Sequence, residues 1–424
     1  MPDCGSQVTL CDVPVRFDTY AGCGHGCAYC FVSRKVDIKK IKPGESPAAL
    51  RRWVEGKRSD TTNWCDWEIP LHWGGMSDPF QPVEKIERRS LAALEIFAET
   101  GYPFIVSTKN TMISEEPYLS LIKRCNCVVQ FSACTPRFDE IERGASTFAQ
   151  RIEAARKIAE FKRVNIRVQP YLPAIFRDVL KAIETYAEIG VHGIIIEAMK
   201  YQSPKVPGLV SQGKDFVYPI DVLLPQFEAI KRAAHRAGLK FYCGENRLRA
   251  LSDELCCCGV EGMGWELHEA NLNHHLFDPA GMRFTEKQKE PGTARVFCAA
   301  HQDTVSGKKY ASISFADGMN EAALNPYPFM SCRGGGYSEQ EAERLRGILC
   351  EALEKSGKKR RDIDRLLGTN GMAGHYFGKS QWSFPTPEAY EKMRLILPLP
   401  PEEKILVTKR YVKIFGKLNE SRNK

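Results

Sequence analysis

Cys23, Cys27 and Cys30 lie within the stretch Tyr20-Ala-Gly-Cys-Gly-His-Gly-Cys-Ala-Tyr-Cys-Phe31, where they put three thiols on one short loop with three and then two residues between them. Soft thiolates select iron-sulfur or zinc over harder ions, and Gly22, Gly24 and Gly26 let a loop close tightly around an inorganic core. Three such ligands hold three irons of a 4Fe-4S cluster and leave the fourth iron open for chemistry. Zinc is the competing reading. It needs a fourth ligand, and the nearest, His25, sits in a cramped loop.

This loop resembles that of the radical S-adenosylmethionine (SAM) enzymes. The resemblance implies a 4Fe-4S cluster on Cys23, Cys27 and Cys30 whose open iron binds SAM, and reductive cleavage of SAM to a 5'-deoxyadenosyl radical that removes a hydrogen atom from carbon. Tyr29 and Phe31 suit a loop that covers an adenine.

The chain of 424 residues is 43% hydrophobic with sixteen cysteines and a formal net charge of +8. No apolar run approaches the roughly 20 residues that span a bilayer. With no secretory h-region at a polar N-terminus, the cysteines point to metal binding in a reducing compartment rather than to disulfides, and the resemblances given below imply a bacterial or phage-infected cytoplasm. No membrane partner is expected.

From about residue 14 to 245, short apolar runs alternate with amphipathic segments, the pattern of a parallel sheet wrapped by helices. Strands are predicted at 15–19, 67–73, 103–108, 127–134, 164–170, 193–197 and 239–243. Phe148, Ile152, Ala155 and Ile158 recur at helical spacing after a Ser146 cap, and Val179, Ile183 and Tyr186 do so in the next helix. The expected fold is α/β, a partial (β/α)6-type barrel over 1–245 with its active mouth at the C-terminal strand ends. A Cys/His-rich metal-binding module at 246–335 and a small helical, basic DNA-binding region at 336–424 follow.

The strand ends supply the next candidates. The second runs into Gly74-Gly75-Met76-Ser77-Asp78, where the glycines offer backbone to a ligand such as the SAM amino group. The third ends in Ser107-Thr108-Lys109, a lysine able to pair with a carboxylate or phosphate. On the fourth, alternation groups Gln130, Ser132 and Cys134 on one face. Arg167 and Gln169 share a face of the fifth, and Glu197 ends the sixth. If these faces look inward, Ser132, Arg167 and Gln169 reach SAM or substrate, and Cys134 and Glu197 reach the reacting centre. The alternative for Cys134 is a small buried hydrophobe.

At Ser107-Thr108-Lys109, Phe131-Ser132, and above all Glu142-Arg143-Gly144-Ala145-Ser146-Thr147-Phe148 leading into Arg151 to Lys157, the chain resembles spore photoproduct lyase and its relatives over about half its length. That resemblance implies a partial barrel, Lys109 and Ser132 as SAM contacts, and a modified thymine in DNA as the kind of substrate. One departure matters. The lyase carries a hydrogen-donating cysteine just past its second strand, and this chain has Met76 in that stretch, which has no transferable S–H hydrogen. Rearrangement that returns the hydrogen to the substrate needs no thiol there, whereas repair would need Cys134 as a substitute.

Between 243 and 335 fall Cys243, Cys256, Cys257, Cys258, His268, His274, His275, Cys298, His301 and Cys332, dense enough to suggest a second metal, zinc or an auxiliary iron-sulfur cluster, on Cys243, Cys258, Cys298 and His301. Scattered buried thiols are the alternative. Further on, Lys358, Lys359, Arg360 and Arg361 precede a short helix over 362–368. The segment from Gly374 to Pro387 follows, and with Tyr390 to Arg394 it resembles part of bacterial and phage DNA methyltransferases; that resemblance implies that His375, Gln381 and Trp382 meet DNA. Three functions compete: isomerisation of a modified thymidine in duplex DNA, of the glycyl-thymidine type in phage hypermodification, with an electron donor such as flavodoxin or ferredoxin; photoproduct-type repair; and a DNA-binding iron-sulfur or zinc redox sensor without catalysis.

Overall fold

The computed structural model describes residues 1–2, 11–34, 37–59, 62, 65, 67–204, 206–212, 215–269, 301–302, 309–310, 329–331, 339–368, 373, 377, 383–385 and 387–400. Two compact units emerge. The first comprises Met1–Asp3, Val13–Lys57 and Trp67–Leu267, and the second Cys4–Asp12, Arg58–Asp66 and His268–Lys424. Residues 246–267, with Cys256 to Cys258, therefore belong to the first unit.

Seven strands form its sheet: β1 (Arg16–Phe17), β2 (Leu71–Trp73), β3 (Phe104–Thr108), β4 (Cys127–Ser132), β5 (Val164–Tyr171), β6 (Gly193–Ala198) and β7 (Lys240–Cys243). They lie side by side in chain order, every neighbouring pair parallel, as an open sheet of the partial-barrel type. Each predicted strand is present, several shorter than expected. Helices α1 (Pro47–Val54), α2 (Arg89–Thr100), α3 (Tyr118–Arg124), α4 (Phe148–Ala159), α5 (Phe176–Glu188) and α6 (Ile220–Arg236) fall between strands.

Aromatic packing defines the helix-facing side of the sheet. Phe17 and Trp73 lie 5.6 Å apart between ring centroids, and Phe97 of α2 stacks on Phe104 at 4.1 Å. Arg16 and His72, which adjoin Phe17 and Trp73, and Ser107, three residues on from Phe104, take the opposite face because side chains alternate along a strand. On α4 the expected Ser146 cap is corrected to Thr147: its hydroxyl accepts the Gln150 N–H and the Gln150 side chain accepts the Thr147 N–H, a reciprocal box that Ser146 is one residue too early to form. Ser146 Oγ instead accepts the Thr111 N–H at 3.1 Å.

In the second unit, α7 (Glu339–Ser356), α8 (Arg360–Leu367) and α9 (Pro387–Arg394) surround a small core that includes Leu349, Ile363, Tyr390 and Met393. Helix α8 ends at Gly368 with φ 67°, the left-handed cap read from sequence. Backbone strands His301–Gln302 and Lys309–Tyr310 pair antiparallel, as do Phe329–Ser331 and Ser383–Pro385. No helix among the described residues is long and apolar enough to cross a membrane.

Candidate active site

The cysteine loop leaves the C-terminal end of β1 and is gripped from two sides. On one side stands the segment after β2. Ser77 Oγ donates to the Gly22 carbonyl at 2.6 Å, Gln81 Nε2 donates to the same oxygen at 3.0 Å, and Gln81 Oε1 accepts the Gly24 N–H at 2.7 Å. Asp78 accepts hydrogen bonds from the Thr108 hydroxyl and from the Lys109 and Phe80 N–H groups, and its Oδ2 lies 3.1 Å from His25 Nε2. Burial opposes charge on Asp78, but His25 and these donors outweigh it and hold the carboxyl below its usual range. One carboxylate thus ties the end of β3 to the loop.

On the other side stands the segment between β4 and α4. The Gly144 N–H donates to the His25 carbonyl at 2.9 Å, His25 Nδ1 meets the Gly144 carbonyl at 2.8 Å, and the Ala28 N–H donates to Ile141. A side chain at Gly144 would put its Cβ 2.5 Å from the Gly24 oxygen, so only glycine permits this approach. Tyr29 donates its hydroxyl to Glu142, which pairs with buried Arg151 at 2.6 Å, and Arg151 also donates to the Ser132 carbonyl at 2.6 Å. The Glu142 to Arg151 stretch therefore forms the cradle of the loop, a role not legible in its residue types.

Cys23, Cys27 and Cys30 are half-buried. Burial pushes the free Cys23 thiol up to about 12 and Cys27 up to about 11, while the positive charge of Lys109 opposes the rise at Cys27. Thiols so placed ionise when a metal centre takes them as ligands. Among the described residues no group of three or more His, Cys, Asp or Glu side chains converges on a single ion, the loop cysteines included. A cube that binds each thiolate on a different iron does not require such convergence.

Lys109 Nζ lies 5.9 Å from the centre of the Tyr29 ring, beside the loop. Gly74 takes φ 91° and its missing Cβ would sit 2.3 Å from the Ser107 carbonyl, so its need for glycine is internal to the sheet. Gly75 packs on Arg16, and the Met76 N–H points at Asp18 Oδ1 over 3.4 Å. Ser132 is buried at the end of β4. Cys134 is 3% exposed and its thiol points at the Arg167 carbonyl, 3.8 Å away. Burial, then Glu142, pushes it up to about 12, so it keeps its proton at neutral pH.

The inner face of the sheet is a continuous polar chain. His72 Nε2 meets Ser107 Oγ at 3.2 Å, Ser107 donates to Gln130 Oε1 at 2.9 Å, and Arg167 donates to the same oxygen at 2.8 Å. Arg167 also donates to Gln169 Oε1, Gln169 Nε2 donates to Glu197 at 2.6 Å, and Lys200 donates to Glu197 at 2.8 Å. Gln130, Arg167, Gln169 and Glu197 are thus brought together as alternation predicts. Sequence reasoning missed Arg16, His72, Asp78 and Gln81; the signal for the first two was a polar residue between apolar ones, Val15 and Phe17 or Leu71 and Trp73.

Cys243 and Cys258 lie near the far edge. Cys243 is fully buried with its thiol directed at the Glu245 carbonyl at 3.6 Å, and the Cys258 carbonyl accepts hydrogen bonds from Gln130 and Asn165. Cys257 hydrogen-bonds Cys258 and Arg249, which lower its thiol despite burial. Cys298 and the His301 side chain, the other expected ligands, fall outside the described residues, as do His274, His275, Cys332, His375, Gln381 and Trp382. Lys358, Lys359, Arg360 and Arg361 are exposed at the start of α8, where Arg360 donates to the Phe377 carbonyl at 2.9 Å.

No family model matches the chain, and no curated protein matches it. Among solved structures it is similar to a spore photoproduct lyase mutant with bound AdoMet and dinucleoside spore photoproduct, at 16% identity and TM-score 0.44 over 55% of this chain and 76% of that one. Spore photoproduct lyase complexed with dinucleoside spore photoproduct matches at 16% and 0.43 over the same shares. Streptococcus suis SuiB bound to S-adenosylmethionine matches at 12% and 0.41, over 60% of this chain and 56% of that one.

Proposed function

We propose that this chain is a radical SAM enzyme that rearranges a modified thymidine in DNA. The observation that carries the reading is the cradled loop: three thiols beside Lys109, fixed from both sides at the C-terminal mouth of a parallel sheet, with a polar inner face next to them. Cys23, Cys27 and Cys30 would hold a 4Fe-4S cluster, which with SAM and one electron supplies a 5'-deoxyadenosyl radical.

The chain's own residues do the rest. Lys109, placed by Asp78 through its backbone, offers a cation to a carboxylate near the loop. Tyr29, tied to Glu142, and Gly74, Gly75 and Met76 border the same space, and Ser132, Arg167 and Gln169 extend it. Glu197, balanced by Lys200, offers an acceptor at the end of β6 for the substrate. A base entering from duplex DNA would be flipped out, because a stacked base cannot reach the inner face of a sheet. Lys358 to Arg361 would anchor phosphates, with His375, Gln381 and Trp382 reading DNA.

Isomerisation is favoured over repair by Met76, which leaves no hydrogen-donating thiol after β2. In that reaction a hydrogen leaves a carbon of the substituent, the linkage migrates, and the hydrogen returns, with no net oxidation. Repair stays the second reading because Cys134 keeps its S–H. A second metal on Cys243, Cys258, Cys298 and His301, and a flavodoxin or ferredoxin donor, belong to the same proposal.

Anaerobic protein with a reductant should convert SAM to 5'-deoxyadenosine, and Cys27→Ala should abolish both this and iron binding. Reduced, iron-replete protein that leaves SAM intact would instead favour a redox sensor. Deuterium carried from labelled DNA into 5'-deoxyadenosine identifies the substrate; a product nucleoside of unchanged mass marks isomerisation, and loss of a thymine crosslink marks repair.

A further inference from the structure

The inner face carries two guanidinium groups, those of Arg16 and Arg167, that no carboxylate pairs with among the described residues. Arg16, on β1, makes no ion pair or hydrogen bond through its side chain among the described residues, and its Nε is buried without a partner. Across the sheet Arg167 contacts only amide oxygens, those of Gln130 and Gln169. Lys200, by contrast, is paired with Glu197 at 2.8 Å. Cys257, which Arg167 senses at longer range, hydrogen-bonds Arg249.

Between the two arginines the chain of contacts, among the described residues, includes no carboxylate. Gln130 Oε1 already takes Ser107 and Arg167, and Ser107 Oγ takes His72. Burial first, then Arg167 and Arg16, pushes His72 down to about 3, so it stays neutral in the field of the two guanidinium groups. Asp18, two residues from Arg16, is pushed up to about 8 by burial and by Glu45, with Arg16 opposing the rise. A buried donor without an acceptor in a positive field calls for an anion.

We propose that Arg16 and Arg167 form an oxyanion subsite on the inner face of the sheet, taking a carboxylate or a phosphate. Its planar forks suit either group. That the anion belongs to cofactor or substrate rests on the function proposed above; the subsite itself does not.

The test compares binding of SAM and of the dinucleotide pTpT to full-length, anaerobically reconstituted wild type and Arg16→Gln. Removing one charge-assisted contact should weaken one ligand by about tenfold or more and leave the other within about twofold. Loss of pTpT assigns the subsite to substrate phosphate, and loss of SAM assigns it to the cofactor carboxylate. Unchanged binding of both overturns it. Where Arg16→Gln does not fold, phenylglyoxal mapping of wild type decides: Arg16 and Arg167 should be modified in the free protein and protected by one ligand, and equal modification with either ligand present refutes the subsite. If SAM fails to bind wild type at all, the radical reading falls while the pTpT arm still tests the anion site.

Discussion

Replacing Gly144 by alanine should release the cysteine loop. The added Cβ would stand 2.5 Å from the Gly24 carbonyl oxygen and 2.8 Å from the His25 Cα, both backbone atoms that cannot swing aside as a side chain would. Ordinary contact needs about 3.5 Å, so the cradle and the loop must part by about 1 Å. Overpacking of this kind costs about 1–3 kcal/mol. The two hydrogen bonds joining His25 and Gly144, at 2.9 and 2.8 Å, stretch with it, and each is worth about 1 kcal/mol. A loss of about 3–5 kcal/mol lowers the melting temperature of a barrel of this size by about 10 °C. Gly26→Ala is the control. Gly26 has φ 61° and nothing within 4 Å of its would-be Cβ, so it bears only the left-handed backbone cost of about 1 kcal/mol. Thermal melts and iron per chain after anaerobic reconstitution should rank wild type above Gly26→Ala and Gly26→Ala well above Gly144→Ala. Equal melting and equal iron in the two variants would refute the cradle.

Two further outcomes follow from buried charge. Arg151 and Glu142 are each almost fully buried and paired at 2.6 Å, so Arg151→Met, which strands the carboxylate, should cost about 3–5 kcal/mol in urea unfolding, while adding Glu142→Gln should recover part of it; a single variant within about 1 kcal/mol of wild type would sink this assignment. Asp18 has a folded value raised to about 8 from 3.8. Between those values the folded state holds a proton that the unfolded state has lost, so its contribution to stability declines as pH rises through that window. Asp18→Asn, which keeps an acceptor for the Met76 and Ser77 N–H groups, should therefore gain melting temperature relative to wild type between pH 5.5 and pH 8, and a pH-independent difference would show that the carboxyl is not buried in this way.

The strands were legible because a parallel sheet covered on its outer side by helices leaves short apolar runs, and Cys127–Ser132 and Gly193–Ala198, with their Val and Ile residues, favour strand at that length. The inner face was legible wherever polar residues alternate, as Gln130 with Ser132 and Arg167 with Gln169. The cradle was not. Glu142, Gly144 and Arg151 look like the start of an ordinary helix, and their partners Tyr29 and His25 lie 113 and 119 residues earlier. Asp78 was hidden for a related reason: a loop acid has no periodicity, and its meaning comes only from His25, Thr108 and Lys109 meeting around it. The helix cap slipped by one residue because Ser146 and Thr147 are both good caps, and only Gln150 three residues on selects the second.

The separation of His25 from Gly144 by 119 residues also has a consequence in time. At a synthesis rate of about 5–20 residues per second, the ribosome exposes the thiols on the order of 10 s before the glycine that clasps them has been made. If the loop takes iron as proposed, metal arriving in that interval would meet a nascent chain with half a socket, and secure metallation would belong to the period after the fourth strand has left the exit tunnel.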